Sequence, residues 1–249
     1  MTSTFATNPG LVRQNNEDCI RVDDTLGVYL LADGMGGHNA GEVASSLAVD
    51  SVFATLSSNI GNTTMDGFFE LIVDTMQAAH SEINQKARTS LSYMGMGTTL
   101  VVAIIRDNTA YIAHAGDSRA YHYTSPSDPL PSGEGLLRRI TNDHTMGDQL
   151  LANGVPREQI QEKQFHTLTQ AVGCGEPPIP DFNTVELNQG DLLLLCSDGL
   201  TDMLDDNEIE AILAYSDANL NTLAANMIDT ANAKGGHDNI SVVLIRCSE

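Results

Sequence analysis

Four times in this chain of 249 residues an apolar run meets an aspartate beside a glycine or a short glycine turn. Val28 to Ala32 leads to Asp33-Gly34, and Tyr111 to Ala115 leads to Gly116-Asp117. Leu192 to Cys196 leads through Ser197 to Asp198-Gly199. Gly235-Gly236-His237-Asp238-Asn239 stands just before a last apolar run. One such pair, taken alone, commonly makes a turn and nothing more. Four strands that each carry a carboxylate at one rim of a sheet would crowd negative charge there, which is costly unless cations neutralise it. The glycines let backbone carbonyls approach such an ion closely. Carboxylate, carbonyl and water are hard donors suited to magnesium or manganese, whereas zinc would call for more histidine or cysteine. His237 adjoins Asp238, but neighbouring strand residues face opposite ways, so it reads as support rather than as a ligand. Two ions roughly 3.5–4 Å apart can hold a bridging hydroxide and clamp a phosphate. They would also invert the local field of an acidic protein that otherwise repels phosphate.

A phosphate site also wants a fixed cation, and Arg13 is placed for it, just before Asn16-Glu17-Asp18. A guanidinium can grip two phosphate oxygens at once. An ion pair to Glu17 or Asp18 is the plainer reading of the same residue. His80 and His166 have no matching partners and read as ordinary structural residues, and His144 reads as a local hydrogen-bonding residue. Met94 and Met96 flank Gly95 beside a strand, where packing is the expected role.

The elements that must position these residues are legible from period and punctuation. Strand signals cover Cys19 to Val22, Gly27 to Ala32, Thr98 to Arg106, Ala110 to Ala115, Ala120 to Tyr123, Leu136 to Ile140, Asp181 to Glu186, Asp191 to Cys196 and Ile240 to Cys247. Helices are expected over Glu42 to Leu56, Phe68 to Ala87, Asn207 to Ala214 and Asn219 to Ala233. Strict strand–helix alternation is absent, which argues against a doubly wound sheet. An α+β fold fits, with two packed, mainly antiparallel sheets and helices outside. Met146 to Phe165 reads as an excursion: a helical piece, a Gly154-Val155-Pro156 break and a polar helix. Thr124 to Gly135 reads as a long surface loop.

With 33 acidic and 12 basic side chains the formal net charge is -21, which makes nucleic acid an unsuitable partner. The longest apolar runs are too short to span a bilayer. Asn8, Pro9, Arg13, Glu17 and Asp18 interrupt the start before any signal-peptide-like stretch, so the cytoplasm is the expected compartment. The four cysteines form no CxxC, and three of them sit in or beside apolar runs, so buried free thiols are expected rather than disulfides or metal ligands.

Taken in order, the motifs resemble the metal-dependent protein phosphatase family, type 2C, in its bacterial form. The matching blocks are Arg13-Gln14-Asn15-Asn16-Glu17-Asp18, Ala32-Asp33-Gly34-Met35-Gly36-Gly37-His38, Met96-Gly97-Thr98-Thr99 and Gly116-Asp117-Ser118-Arg119. Thr141-Asn142-Asp143-His144-Thr145, Ser197-Asp198-Gly199-Leu200 and Gly235-Gly236-His237-Asp238-Asn239 complete the series. The resemblance implies a four-layer α-β-β-α sandwich, one phosphatase domain over residues 1–249, with a flap at about 146–166. It implies that Asp33 bridges two manganese or magnesium ions, that Gly34 lends one of them its carbonyl, and that Asp198 and Asp238 complete the second. Glu17 would hold metal-bound water, Arg13 would bind substrate phosphate, and Asp117, with Asp198, would hold a third, weaker ion. Asp18, His38 and Asn239 are expected around these ligands. The implied reaction is in-line attack of a metal-bridging hydroxide on phosphoserine or phosphothreonine, with no phosphoenzyme.

Two departures stand out. Animal members carry a histidine directly after the first Asp-Gly, proposed to protonate the leaving group, and Met35 occupies that place here. His38 or a metal-bound water could supply the proton, and His38 could equally brace its loop. The Thr124 to Gly135 loop replaces a tight hairpin. The expected partners are phosphorylated proteins and a bacterial serine/threonine kinase with its targets, with no nucleic acid and no membrane, and the expected state is a monomer. A catalytically inactive relative that senses metal or binds partners is the competing reading, and it should have lost a metal aspartate. A nucleotide-binding loop at Gly34 to Gly37 lacks both GxGxxG spacing and a Walker lysine.

Overall fold

The computed structural model describes residues 1–36, 40–125, 136–214 and 219–248. Its strands are β1 (Thr2–Asn8), β2 (Asp18–Asp23), β3 (Val28–Met35), β4 (Gly97–Thr98), β5 (Leu100–Arg106), β6 (Thr109–Ala115), β7 (Arg119–Tyr123), β8 (Leu137–Arg139), β9 (Asp181–Glu186), β10 (Leu192–Cys196) and β11 (Ile240–Arg246). The helices are α1 (Ala40–Asn59), α2 (Phe68–Ala87), α3 (Met146–Ala152), α4 (Asp198–Thr201), α5 (Asp206–Leu213) and α6 (Leu220–Ala233). One antiparallel sheet runs β1-β11-β10-β7-β8. The other runs β2-β3-β5-β6-β9, with β4 added against β3.

Both faces of the central strands are buried, and this explains their unbroken apolar runs in an antiparallel setting. On β3, Val28, Leu30 and Ala32 pack outward under α1 and α2, while Tyr29 and Leu31 pack inward against the other sheet. On β10, Leu192, Leu194 and Cys196 face α5 and α6, while Leu193 and Leu195 face inward. Three cores thus stack between four layers, helices outside and sheets inside.

Helices α1 and α2 bury residues at three- or four-residue spacing, Ala44, Ala48, Val52 and Leu56 on one, Ile72, Met76, Ala79 and Ile83 on the other. Phe68 is the aromatic residue buried at the start of α2. Phe69 stays half-exposed and meets Phe182 edge-on at 5.1 Å.

Three elements differ from expectation. The chain starts with β1, an edge strand of polar, half-exposed residues that carries little apolar signal. Asp198 opens a short helix instead of a turn. Beyond α3, the stretch expected as a polar helix forms two single 3₁₀ turns, Arg157–Gln159 and Glu162–Gln164. Of residues 157–164 only Ile160 is buried, so no apolar stripe favours a longer helix there. Most of the expected 124–135 loop lies outside the described residues.

Candidate active site

Antiparallel pairing brings one set of strand ends together: the C-terminal ends of β3, β6 and β10 and the N-terminal ends of β2 and β11. The acidic motifs sit on these ends. Asp18 and Asp33 lie opposite one another in the β2–β3 register. The Asp33 N–H donates to Thr99 Oγ1 (3.0 Å), and its carbonyl accepts from the Thr99 N–H (2.9 Å) and Thr98 Oγ1 (2.8 Å). The Gly34 N–H donates to the Glu17 carbonyl (3.1 Å). A Cβ at Gly34 would stand 2.1 Å from the Gly41 carbonyl oxygen, so only glycine lets the start of α1 close on β3.

Asn239 ties the opposite ends of the chain together. Its Oδ1 accepts from the Glu17 N–H (2.8 Å), while its Nδ2 donates to the carbonyls of Pro9 (3.1 Å) and Asn15 (2.8 Å). That single amide fixes the segment carrying Arg13 and Glu17 beside Asp238. The Asp238 carboxylate accepts from the Asn239 N–H (2.8 Å) and from Arg13 Nη2 (2.6 Å). Arg13 is therefore ion-paired, but to Asp238 and not to Glu17 or Asp18, and its side chain remains half-exposed.

Asp117 is placed through its neighbour. The His144 N–H donates to the Gly116 carbonyl (3.0 Å), and His144 Nδ1 accepts from the Gly116 N–H (3.3 Å). One residue thus grips both sides of Gly116, which is the local hydrogen bonding expected of His144. This contact puts the ring proton on Nε2, facing Asp181 Oδ2 at 3.4 Å. His114 stacks on His144 at 4.5 Å and donates from Nε2 to the Asn142 carbonyl (2.6 Å). His114, His144 and Asp181 gather ligand-type atoms, yet the protonated Nε2 leaves no lone pair for a metal there. The arrangement is a brace behind Asp117.

The carboxylates open into a cleft of about 520 Å³, lined by Arg13, Glu17, Asp33, Gly34, Met35, Thr99, Asp117, His166, Leu168, Asp198 and Asp238 among others. Its electrostatics are those of crowded like charges. Burial, then the charges of Asp18 and Asp198, push Asp33 well above the usual carboxylate range. Burial, then Asp117 and Asp202, do the same for Asp198. Asp117 is pushed up to about 7 by burial and the nearby charge of Asp143. Asp18 rises to about 6 through burial, held back by hydroxyls that include Ser197 at 3.0 Å. Burial raises Glu17 as well, against the opposing pull of Arg13.

The sequence reading missed one cleft residue, His166, and its carboxylate partner, Asp202. Asp202 lies one helical turn after Asp198 on the α4 segment, and the spacing of the two aspartates carried that signal. His166, expected to be an ordinary structural residue, instead lines the cleft with Nδ1 3.7 Å from Asp202 Oδ2. Ligand-type atoms of His166, Asp198 and Asp202 lie within 4.8 Å of one another. His38 lies outside the described residues. His237 is exposed and packs its ring near Gly235.

The sequence model of protein phosphatase 2C matches residues 10–240. The chain is 37% identical to protein phosphatase PhpP of Streptococcus pneumoniae, over all of this chain and 98% of that one. The Mycobacterium tuberculosis serine/threonine phosphatase PstP/Ppp superposes with a TM-score of 0.85 at 32% identity, over all of this chain and 99% of that one. The catalytic domain of PstP in complex with two manganese ions superposes with a TM-score of 0.80, also at 32% identity, over 100% of this chain and 98% of that one.

This chain belongs to the protein phosphatase 2C family. It is a metal-dependent protein-serine/threonine phosphatase of the bacterial type, and phosphoproteins are its substrates. The cleft of this 2C phosphatase suits hard cations on its own terms. Asp18 Oδ1 and Asp198 Oδ1 are buried with no hydrogen-bond partner among the described residues. Orphaned buried carboxylate oxygens in a cluster of oxygen donors are what a divalent ion would satisfy. Among the described residues no helix is long and apolar enough to cross a membrane.

Proposed function

We propose that the acidic end of the sandwich is the catalytic centre, with Asp33, Gly34, Asp198 and Asp238 holding two manganese or magnesium ions. Asp117, together with Asp198, would hold a third, weaker ion. When bound, the two tight ions supply neutralisation of the carboxylates and activation of water, and the third supplies a proton source for the leaving alcohol that Met35 cannot provide. The residues of the chain do the remaining work. Arg13 orients the phosphate with two of its N–H donors, leaving its partnership with Asp238 to do so. Glu17, anchored through its backbone to Asn239, hydrogen-bonds water at the edge of the cleft. Asp18 shares charge with Asp33 across the strand pair, and Asn239 keeps the Arg13 segment in register with Asp238.

The observation that carries this reading is the convergence of Asp33, Asp117, Asp198 and Asp238 in one cleft, with Asp198 Oδ1 buried and unpartnered among the described residues. The same cleft holds every aspartate whose loss would mark an inactive, partner-binding relative, so an active enzyme is the better reading. We further read residues 1–249 as a single phosphatase domain in which 146–166 form a flap at the cleft, with His166 reaching in from its end. The physiological setting would be a cytoplasmic monomer opposing a bacterial serine/threonine kinase on shared targets.

The test is hydrolysis of a phosphothreonine peptide by purified protein. Activity with added manganese and its loss in excess chelator are expected. Full activity after rigorous metal removal would contradict the assignment of the cleft.

A further inference from the structure

A second cleft, of about 400 Å³, adjoins the acidic one, and Met35 and Leu168 line both. We propose that this second cleft is a substrate subsite that receives an apolar side chain close in sequence to the phosphorylated residue of the target protein. The inference rests on the phosphatase reading and adds a substrate preference to it.

The two clefts differ in chemistry. The first is walled by carboxylates. The second is lined by Met35, Leu168, Ala171, Pro177, Pro178 and Ile179, with Glu176 also on its wall. Ile179 is 78% exposed. A large apolar side chain held out to solvent beside a catalytic cleft has a ready use in binding. A peptide whose phosphoresidue occupies the acidic cleft must lead its neighbouring residues across the rim. In extended chain successive residues advance about 3.3 Å, so a side chain one to three positions away falls within reach of an adjoining cleft. Glu176 would disfavour an acidic residue at the same place.

The subsite is built rather than incidental. Two of its lining side chains rest on β4, where a Cβ on Gly97 would meet Cys174 Sγ at 2.8 Å and Met35 Cε at 2.9 Å. Glycine there lets both side chains lie against the strand. The wall is tied down along its length. Val172 and Thr98 exchange backbone hydrogen bonds of 2.8 and 2.9 Å. The Thr169 N–H donates to the His144 carbonyl (2.8 Å), and the Gly173 N–H donates to His80 Nδ1 (3.0 Å). The Ile179 N–H donates to Gln170 Oε1 (2.8 Å), so its side chain is presented from a braced segment. A preformed apolar cleft binds without a large ordering cost.

The experiment uses phosphothreonine peptides in which a single leucine is moved through the flanking positions, with alanine in its place as control. p-Nitrophenyl phosphate, which has no flanking residues, provides the baseline. The wild type should prefer leucine over alanine by about tenfold in kcat/KM at one flanking position. Ile179→Glu should reduce that ratio to near one, and Ile179→Ala should reduce it part-way, when each peptide rate is divided by the same enzyme's rate on p-nitrophenyl phosphate. Both substitutions sit on an exposed side chain and keep the backbone donor to Gln170. Equal rates on all peptides, or a leucine preference that survives Ile179→Glu, would overturn the subsite and leave the phosphatase reading standing. Failure of the wild type to hydrolyse any of these substrates with manganese would overturn both.

Discussion

Strand β10 has an aspartate just beyond each end, and the two live in opposite circumstances. Asp191, just before the strand, is 1% exposed and fully engaged. It accepts from His122 Nε2 (2.9 Å), the Ser125 N–H (2.9 Å) and the Asn188 N–H (2.9 Å), and despite burial these contacts hold its carboxyl below the usual range. Asp198, just after the strand, has a buried oxygen with no partner among the described residues and neighbours of its own sign, and its carboxyl is driven up. Five apolar residues separate the two ends. The difference distinguishes a charge kept for the fold from charges kept for an ion. A structural carboxylate collects donors, whereas one awaiting a cation leaves its lone pairs open and tolerates repulsion.

Mutation should separate the two ends most sharply. Asp33→Ala, at the acidic end, should cut phosphopeptide hydrolysis by more than about 100-fold while the fold survives, since it relieves crowding. Asp191→Ala should do the reverse. It strips His122 and two backbone donors of their acceptor and should cost about 3 kcal/mol in denaturant unfolding, with near-normal turnover per folded molecule. Wild-type turnover in Asp33→Ala, or loss of turnover in a folded Asp191→Ala, would erase the distinction. A smaller effect is expected at Arg13. If it binds phosphate equally in ground and transition states, Arg13→Ala should raise KM roughly tenfold with kcat little changed, about 1.4 kcal/mol of binding. Steady-state kinetics showing no change would leave Arg13 as a surface ion pair with Asp238.

Much of this was legible in the sequence, because the informative signals are local. The Asp-Gly motifs name the acidic residues, and short apolar runs name the strands that carry them. What escaped has physical reasons. Strand β1 is an edge whose half-exposed polar residues gain their strand character from pairing with β11, not from composition. The ion pair of Arg13 with Asp238 spans 225 positions and is set by the closing of the sandwich. His166 enters the cleft only because the chain between α3 and β9 folds back, and short 3₁₀ turns leave no periodic trace. Asp202 was readable as a helical neighbour of Asp198, had that segment been read as a helix. His38 and residues 126–135, which the sequence also singles out, lie outside the described residues.

The central claim is that the crowded carboxylates at one end of the sandwich are held in place for divalent cations. The most direct test is the stability of the metal-free protein against pH, with and without manganese, by denaturant unfolding. Carboxyls whose folded values are raised, Asp18 to about 6 and Asp117 to about 7, bind protons that the unfolded chain releases near 4. Their contribution is present below about pH 4 and is lost as pH rises through 6 to 7. Asp191, whose value is lowered, works in the other sense, and its contribution is lost as the medium becomes acidic. The metal-free protein should therefore lose a few kcal/mol between about pH 4 and 7, and saturating manganese should restore most of that loss. Stability that is flat over this range, or that falls equally with and without manganese, would contradict the claim.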